Sequence, residues 1–337
     1  MSTQATRRAL FAGLSTLPLA DRAWAEAPWP NRPVRLVVTF LPGGILDTLA
    51  RLIAPPLQRR LGQPFVVENR PGAGGNVGTA LAARAKGDSY TLLVGSSGPL
   101  AISPSIESNL GYSPLTDFTP ITLLASTPLV LVVPANSPWH SLRDMIAAVK
   151  SSQGEFLYPT PGIGSPQLLA GEALRQRVGF RATPVSYNGS APAVLAIIAG
   201  EMPYTFENLV LVAPHLAKGT LRALAVTSAQ RSHMLPEVPT MEEAGLPGFQ
   251  AGGWYGLLAP AGVSQEVVDR LHAATVAVLH EPDVAPRILE MGSLNISSTP
   301  DQFREHIRQE TERWRHVMLA ANAPLDREPA NRQSTGR

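Results

Sequence analysis

The stretch V-V-T-F-L-P-G-G-I-L-D, Val37 to Asp47, decides the fold of this chain. Val34, Leu36, Val37, Val38 and Phe40 form an apolar, partly β-branched run too short for a helix of its own, and they predict a buried strand. Pro42-Gly43-Gly44 stops that strand and opens backbone angles closed to other residues. Ile45, Leu46, Leu49, Ala50, Leu52 and Ile53 then take up a helical spacing, with Asp47 in the opening turn. A turn of this kind leaves free N–H groups at the positive end of a helix, where anions settle. It holds no Lys or Arg, so a carboxylate bound here is held by backbone amides and water.

Outward from this turn the chain alternates strand and helix. Phe65–Val67 and Tyr90–Val94 predict strands, with a small alanine-rich helix over Thr79–Lys86 between them. Helices between strands imply a parallel sheet with βαβ crossovers. Ile121–Val133 is a longer apolar run interrupted by Ser126-Thr127-Pro128. The proline marks an edge, a bend or a crossing between two sheets. A second alternating region follows, with strands at Phe156–Tyr158, Ala182–Val185, Tyr204–Phe206 and Leu221–Thr227 and helices between them. Gly248–Leu258 is extended again, and helices over Gln265–Leu279 and Pro300–Ala320 close the chain. The expected architecture is α/β with two lobes crossed twice and a ligand cleft between them, at the carboxyl ends of strands. The expected divisions are 26–126 for the first part of domain 1, 127–249 for domain 2, 250–325 for the return to domain 1, and a flexible tail over 326–337.

The N-terminus belongs to export rather than to the fold. Arg7-Arg8 precede an apolar run from Ala9 to Ala20, and Ala23-Trp24-Ala25 offers small residues for a signal peptidase. Residues 1–25 are therefore expected to be a signal peptide cleaved before Glu26, by either the twin-arginine or the general secretory route. Removing Arg7, Arg8, Arg22 and Asp21 leaves 28 less three basic residues against 26 less one acidic residue, so the mature chain is neutral. That neutrality, with no basic run interleaved with aromatics, argues against nucleic acid as a partner. At 337 residues, 44% hydrophobic and 16% charged, the chain has the composition of a soluble globular protein of two domains. The absence of cysteine removes disulfides, thiolate chemistry and Cys-ligated zinc together.

Catalytic and cofactor motifs fail one by one. In Gly72-Ala73-Gly74-Gly75-Asn76-Val77-Gly78 the third glycine of a dinucleotide fingerprint would fall on Val77, and the motif follows the second strand. It reads as a structural turn. The seven histidines share no metal-binding spacing with a nearby acid. Ser96-Ser97-Gly98 and Gly164-Ser165 lie outside any nucleophile elbow, which leaves an exported serine hydrolase using Ser97 or Ser165 as the enzyme alternative. No cofactor is implied. What recurs instead is a strand, a small polar loop and a helix start: Ser96 to Gly98, Thr160 to Ser165, Tyr187 to Ser190, and Glu207-Asn208. Each puts hydroxyls or free amides at a helix N-terminus on the cleft side, a pattern suited to a small anion.

Five segments carry a family resemblance: Pro30–Asp47, Val67–Gly78 (V-E-N-R-P-G-A-G-G-N-V-G), Leu221–Ser228 (L-R-A-L-A-V-T-S), Val238–Gly245 (V-P-T-M-E-E-A-G) and Trp254–Gly262 (W-Y-G-L-L-A-P-A-G). Together they resemble the Bug-type extracytoplasmic solute receptors of tripartite tricarboxylate transporters. The resemblance implies a type II periplasmic-binding-protein fold that closes on one small carboxylate: a dicarboxylate, tricarboxylate, acidic amino acid or aromatic acid. It implies a monomer that meets integral-membrane transporter subunits transiently; a membrane signalling protein reading the same ligand is the alternative partner. By position it points to Phe40, Leu41, Pro42, Gly43, Gly44, Asp47, Ser96, Ser97, Gly98, Thr160, Gly164, Ser165, Tyr187 and Glu207 as ligand-binding residues, with no catalytic or metal residue. Asp47 is read first as a helix cap, Trp254 and Tyr255 either wall the cleft or pack at the crossing. Two departures bear on the ligand. Pro161 and Ile163 remove donors from a loop that is usually more polar, and Glu207 stands where Asp is usual, placed to repel a distal carboxylate or to pair with an amine.

Overall fold

The computed structural model describes residues 29–107, 109–162, 165–187 and 189–320. The expected signal peptide and tail lie outside these residues. The chain opens with β1 (Val34–Val38), α1 (Ile45–Leu61), β2 (Phe65–Asn69), α2 (Asn76–Ala83) and β3 (Thr91–Ser96), followed by the short helices α3 (Ser103–Ile106) and α4 (Pro114–Asp117). The long strand β4 (Phe118–Pro134) leads into α5 (Leu142–Ser151), β5 (Phe156–Thr160), α6 (Pro166–Val178), β6 (Ala182–Ser186), α7 (Ser190–Ile198), β7 (Thr205–Asn208), α8 (Leu209–Ala217) and β8 (Leu221–Val226). Strand β9 (Gly252–Pro260), α9 (Gln265–Leu279), α10 (Ala285–Glu290), β10 (Leu294–Asn295) and α11 (Pro300–Ala320) complete it.

Strand β4 joins the two lobes. Its first part, Phe118 to Pro128, pairs with β9, and its remainder pairs with β7 and β8. One strand thus belongs to both sheets, and Pro128 sits at the change of partner opposite Gly252. Gly252 has φ +154, and a Cβ there would lie 2.5 Å from the Thr127 carbonyl oxygen, so the two crossing strands can approach only through a glycine. The first-lobe sheet runs β2-β1-β3-β9-β4-β10. It is mixed rather than parallel: β1 pairs in parallel with β2 and β3, whereas β9 runs antiparallel to both β3 and β4. The sequence expectation of a parallel sheet holds only for the βαβ part, because the crossing strands return without a helix between sheet neighbours.

Alternation along β1 divides the first core. Leu36 and Val38 face α1 and α9, meeting Leu49, Ile53, Leu57, Val268 and Leu271. Val37 faces the other way, towards Leu93, Leu258, Phe303 and Ile307. Helix α1 continues through Pro55-Pro56 to a left-handed cap at Gly62, past the point where proline normally interrupts a helix. Burial of Ile53 and Leu57 on either side of the prolines offsets the lost backbone hydrogen bonds.

The second lobe packs Leu131, Tyr158, Leu169, Leu174, Tyr204 and Phe206 on one face of β4, and Val130, Val194, Ile197 and Val212 on the other. Helix α11 ties the lobes together. Phe303 and Ile307 sit in the first-lobe core, while Trp314 and Met318, further along the same face, sit in the second-lobe core. The sequence reading returned the last helices to the first lobe; α11 instead runs on from it into the second.

Candidate ligand-binding site

The turn after β1 is built around Asp47. Its buried carboxylate accepts the Gly43 N–H at 2.9 Å, the Arg51 Nε–H at 3.0 Å and the Asn69 Nδ2–H at 2.9 Å. The same Asn69 amide donates to the Phe40 carbonyl at 3.0 Å. The Arg51 guanidinium, helped by the Gly43 and Asn69 donors, holds the Asp47 carboxyl down at about 2 against the cost of its burial. Gly43 has φ +89, which a side chain would strain. These contacts fix the path of the loop and leave α1 without a side-chain cap at Gly44. The first-turn N–H groups of Ile45 and Leu46 have no partner inside the helix.

Opposite this helix end is a cavity of about 400 Å³ between the lobes. The first lobe contributes Phe40, Gly44, Ile45, Leu46, Gly74, Ser96, Ser97 and Gly98; the second contributes Pro161, Ser165 and Pro166. Gly253 and Tyr255 of the crossing strand β9 form the back. A methyl group at Gly253 would lie 3.6 Å from the Tyr255 hydroxyl and 3.8 Å from both Pro166 and the Ser97 hydroxyl, so three segments converge on one backbone position. Among the described residues, no Lys, Arg, Asp or Glu lines the cavity. Its polar groups are hydroxyls and helix-end amides, among them the buried Ser96 Oγ, which has no hydrogen-bond partner among the described residues. Burial pushes the Tyr255 phenol up, so it remains a neutral hydroxyl. Such a wall can accept a small anion by donating hydrogen bonds, with an apolar surface from Phe40, Ile45, Leu46, Pro161 and Pro166 around the rest of it.

The cavity gathers six of the residues expected from sequence: Phe40, Gly44, Ser96, Ser97, Gly98 and Ser165. Leu41, Pro42 and Gly43 are exposed on the loop beside it. Asp47 turns away to hold that loop. Gly164 lies outside the described residues. Tyr187 donates its N–H to the Thr160 carbonyl at 2.8 Å and packs against the second-lobe core. Thr160 and Glu207 are fully buried beneath the second-lobe wall, at the ends of β5 and β7. Glu207 Oε2 accepts Gln167 Nε2 at 3.2 Å and the Asn208 N–H at 3.1 Å, and burial pushes its carboxyl up.

Three lining positions carried little sequence signal. Gly74 belongs to a turn read as purely structural, and Gly253 has no side chain to announce a site. Tyr255 shares with Trp254 the expectation of either walling the cleft or packing at the crossing, and β9 separates the two. Tyr255 faces the cavity, while Trp254 packs edge-on against Phe303 and His306 and borders a second cavity of about 270 Å³ behind the crossing strands. That rear cavity contains none of the expected residues.

The family model described as "Tripartite tricarboxylate transporter family receptor" matches residues 49–322. Protein BugT of Bordetella pertussis is 38% identical over 298 residues, covering 88% of this chain and 91% of that protein. Among solved structures, Rpa4515 of R. palustris with adipate is 35% identical with a TM-score of 0.75, over 87% of this chain and 98% of that one. MatC from Rhodopseudomonas palustris with bound malate is 34% identical with a TM-score of 0.70, over 86% and 99%. No helix among the described residues is long and apolar enough to cross a membrane.

Proposed function

The chain belongs to the tripartite tricarboxylate transporter receptor family, and from that premise we propose that it is a periplasmic receptor that captures one small organic carboxylate and delivers it to a membrane transporter. Its expected export signal supports the location, and the adipate and malate of the similar structures support the ligand class. The observation that carries the reading is the charge-free cavity between the lobes, with the uncapped end of α1 on one side. A carboxylate there exchanges its hydration for amide and hydroxyl donors, with the apolar wall covering its carbon body. Closure of the lobes about the crossing of β4 and β9 would complete that shell. Of the fourteen positions named from sequence, the six that line the cavity would touch ligand, and Asp47 shapes the loop beside them.

The reading is tested by a thermal-shift screen of the purified protein against organic carboxylates, with amines and neutral sugars as controls. A ligand that binds only the folded state raises the melting midpoint in proportion to its affinity and concentration. Carboxylates alone should raise it; a screen in which only sugars or amines do so would remove the proposal.

A further inference from the structure

The cavity of about 270 Å³ behind the crossing strands is built from both lobes. Gly253 borders it as well as the ligand cavity, so a single strand, β9, separates front from rear. Trp254, from a first-lobe core, forms one wall, and Thr227 and Ser228, just past β8 in the second lobe, form another. Helix α11 covers it. Phe303 and Ile307 anchor that helix in the first-lobe core and Trp314 and Met318 in the second-lobe core. Between these anchors His306, Glu310 and Arg313 line the cavity. As i, i+4 and i+7 the three share one helix face.

The groups left over in this cavity are donors. Trp254 is 3% exposed, and its Nε1–H has no hydrogen-bond partner among the described residues. An indole N–H can only donate, so its burial is relieved by an oxygen acceptor and by nothing else. His306 Nε2 is likewise buried and unpartnered among the described residues, and its ring stands edge-on to the Trp254 ring with centroids 5.0 Å apart. Burial lowers the His306 pKa, so the ring is neutral at neutral pH and Nε2 donates in one tautomer. Both oxygens of Glu310 are taken, Oε1 by Arg313 at 3.0 Å and Oε2 by the Trp314 Nε1–H at 3.0 Å. Arg313 also donates to the Gln250 carbonyl, and its remaining N–H groups have no partner among the described residues.

We propose that this rear cavity binds a compact oxyanion, held by Trp254 Nε1–H from the first lobe and by the Arg313 guanidinium beside the second, and that the anion opposes closure on the carboxylate. Front and rear lie on opposite sides of β9, so a rotation of the lobes that narrows one widens the other. An anion bonded to both lobes holds the rear narrow and the front open. The two sites are then negatively coupled, each occupant weakening the other by the same factor. The coupling rests on the receptor reading above, whereas the binding of the oxyanion does not.

Proton–nitrogen NMR of the indole groups during titration with sodium sulfate tests the binding, with sodium chloride at equal ionic strength as the control. The indole signal that is missing from Trp254→Phe should move with sulfate alone and saturate below about 10 mM. Calorimetry with the tightest carboxylate from the screen tests the coupling: saturating sulfate should weaken its binding to wild type about fivefold or more. Trp254→Phe keeps a ring against Phe303 and Arg313→Gln keeps a donor, and melting curves confirm that both are folded. Both variants should bind the carboxylate with no weakening by sulfate. Equal weakening in wild type and variants would mean that sulfate competes at the front cavity, and would overturn the inference. So would a Trp254 signal that sulfate leaves in place, while a signal that moves with no effect on the carboxylate would overturn the coupling. A moving signal in a protein that binds no carboxylate would overturn the receptor reading and keep the rear site.

Discussion

The carboxylate of Asp47 accepts the backbone N–H of Gly43 at 2.9 Å, so a residue in the first turn of α1 closes the loop that precedes it. The bond pins the chain where the strand β1 has ended and before α1 has begun, and it aims the free helix end at the cavity. Asp47 is buried, and its Arg51 partner is about half exposed, so part of the ion pair is screened by solvent. Replacing Asp47 by Ala should cost about 1–3 kcal/mol of stability at neutral pH, chiefly through the unpaired Gly43 and Asn69 donors. Ligand affinity should fall as well, although Asp47 does not reach the cavity. Urea unfolding at neutral and acid pH checks the mechanism. The folded-state pKa is lowered to about 2, so the carboxylate's contribution is complete above the unfolded value and fades as pH falls through the folded one. The difference between wild type and Asp47→Asn should therefore shrink as the pH is taken from neutral towards 2.

Glu207 has the opposite sign. Burial raises its folded-state pKa, and the groups facing it, Gln167, Ser190 and the Asn208 N–H, are all neutral. Stability from this group is fully present below the unfolded pKa and is lost as pH rises through the folded one. Without ligand, Glu207→Gln should melt at or above the wild-type temperature at neutral pH, and the gap should close as pH falls below the ordinary carboxylate range. A gap that widens on acidification would show that the ionised carboxylate stabilises the fold.

The bond between the lobes made by α11 predicts a third outcome. Gly256 of β9 faces Phe303 so closely that a Cβ there would lie 2.2 Å from the ring. Gly256→Ala must displace Phe303 and with it the start of α11, at a cost of about 1–3 kcal/mol. Trp314→Ala removes a fully buried ring from the second-lobe core and should cost about 3–5 kcal/mol. Because one helix carries both residues, each variant should lower a single cooperative transition measured by both near- and far-ultraviolet dichroism. Separate melting of the lobes in either variant would contradict the coupling.

The uncharged cavity predicts weak salt dependence. With no Lys or Arg among the described residues of the wall, there is little long-range attraction for salt to screen. The affinity for a carboxylate should change by less than about threefold between 50 mM and 500 mM sodium chloride. A steep loss would place a cation at the site.

The opening turn was legible in the sequence because its parts are local: a β-branched run, Pro42-Gly43-Gly44, and a helical spacing that starts at Ile45. The crossing was half legible. Pro128 announced an interruption, but an edge, a bend and a crossing share that signal, and only pairing with β9 on one side and with β7 and β8 on the other separates them. Helix α11 shows the same limit. The spacing of Phe303, Ile307, Trp314 and Met318 marks one apolar face, yet periodicity does not say that its two halves serve different cores. At the site, Asp47 was open between cap and ligand contact, because both roles use the same carboxylate; its distances to Gly43, Arg51 and Asn69 give it to the loop. Period two along β9 requires Trp254 and Tyr255 to face opposite ways without saying which faces ligand. Gly74 and Gly253 contribute backbone and space, which no residue pattern marks as chemistry.

If uncharged donors between the lobes bind a carboxylate, the Ser96 hydroxyl in the cavity wall is one of them. Its buried hydroxyl has no partner among the described residues, so removing it takes a donor from the ligand and nothing from the fold. Titration calorimetry of wild type and Ser96→Ala with the tightest carboxylate from the screen is the measurement. Wild type should bind one ligand per chain and Ser96→Ala should bind it about tenfold more weakly, with an unchanged melting midpoint when ligand is absent. Equal affinity in the two proteins, or binding at any stoichiometry other than one per chain, would contradict binding by those donors.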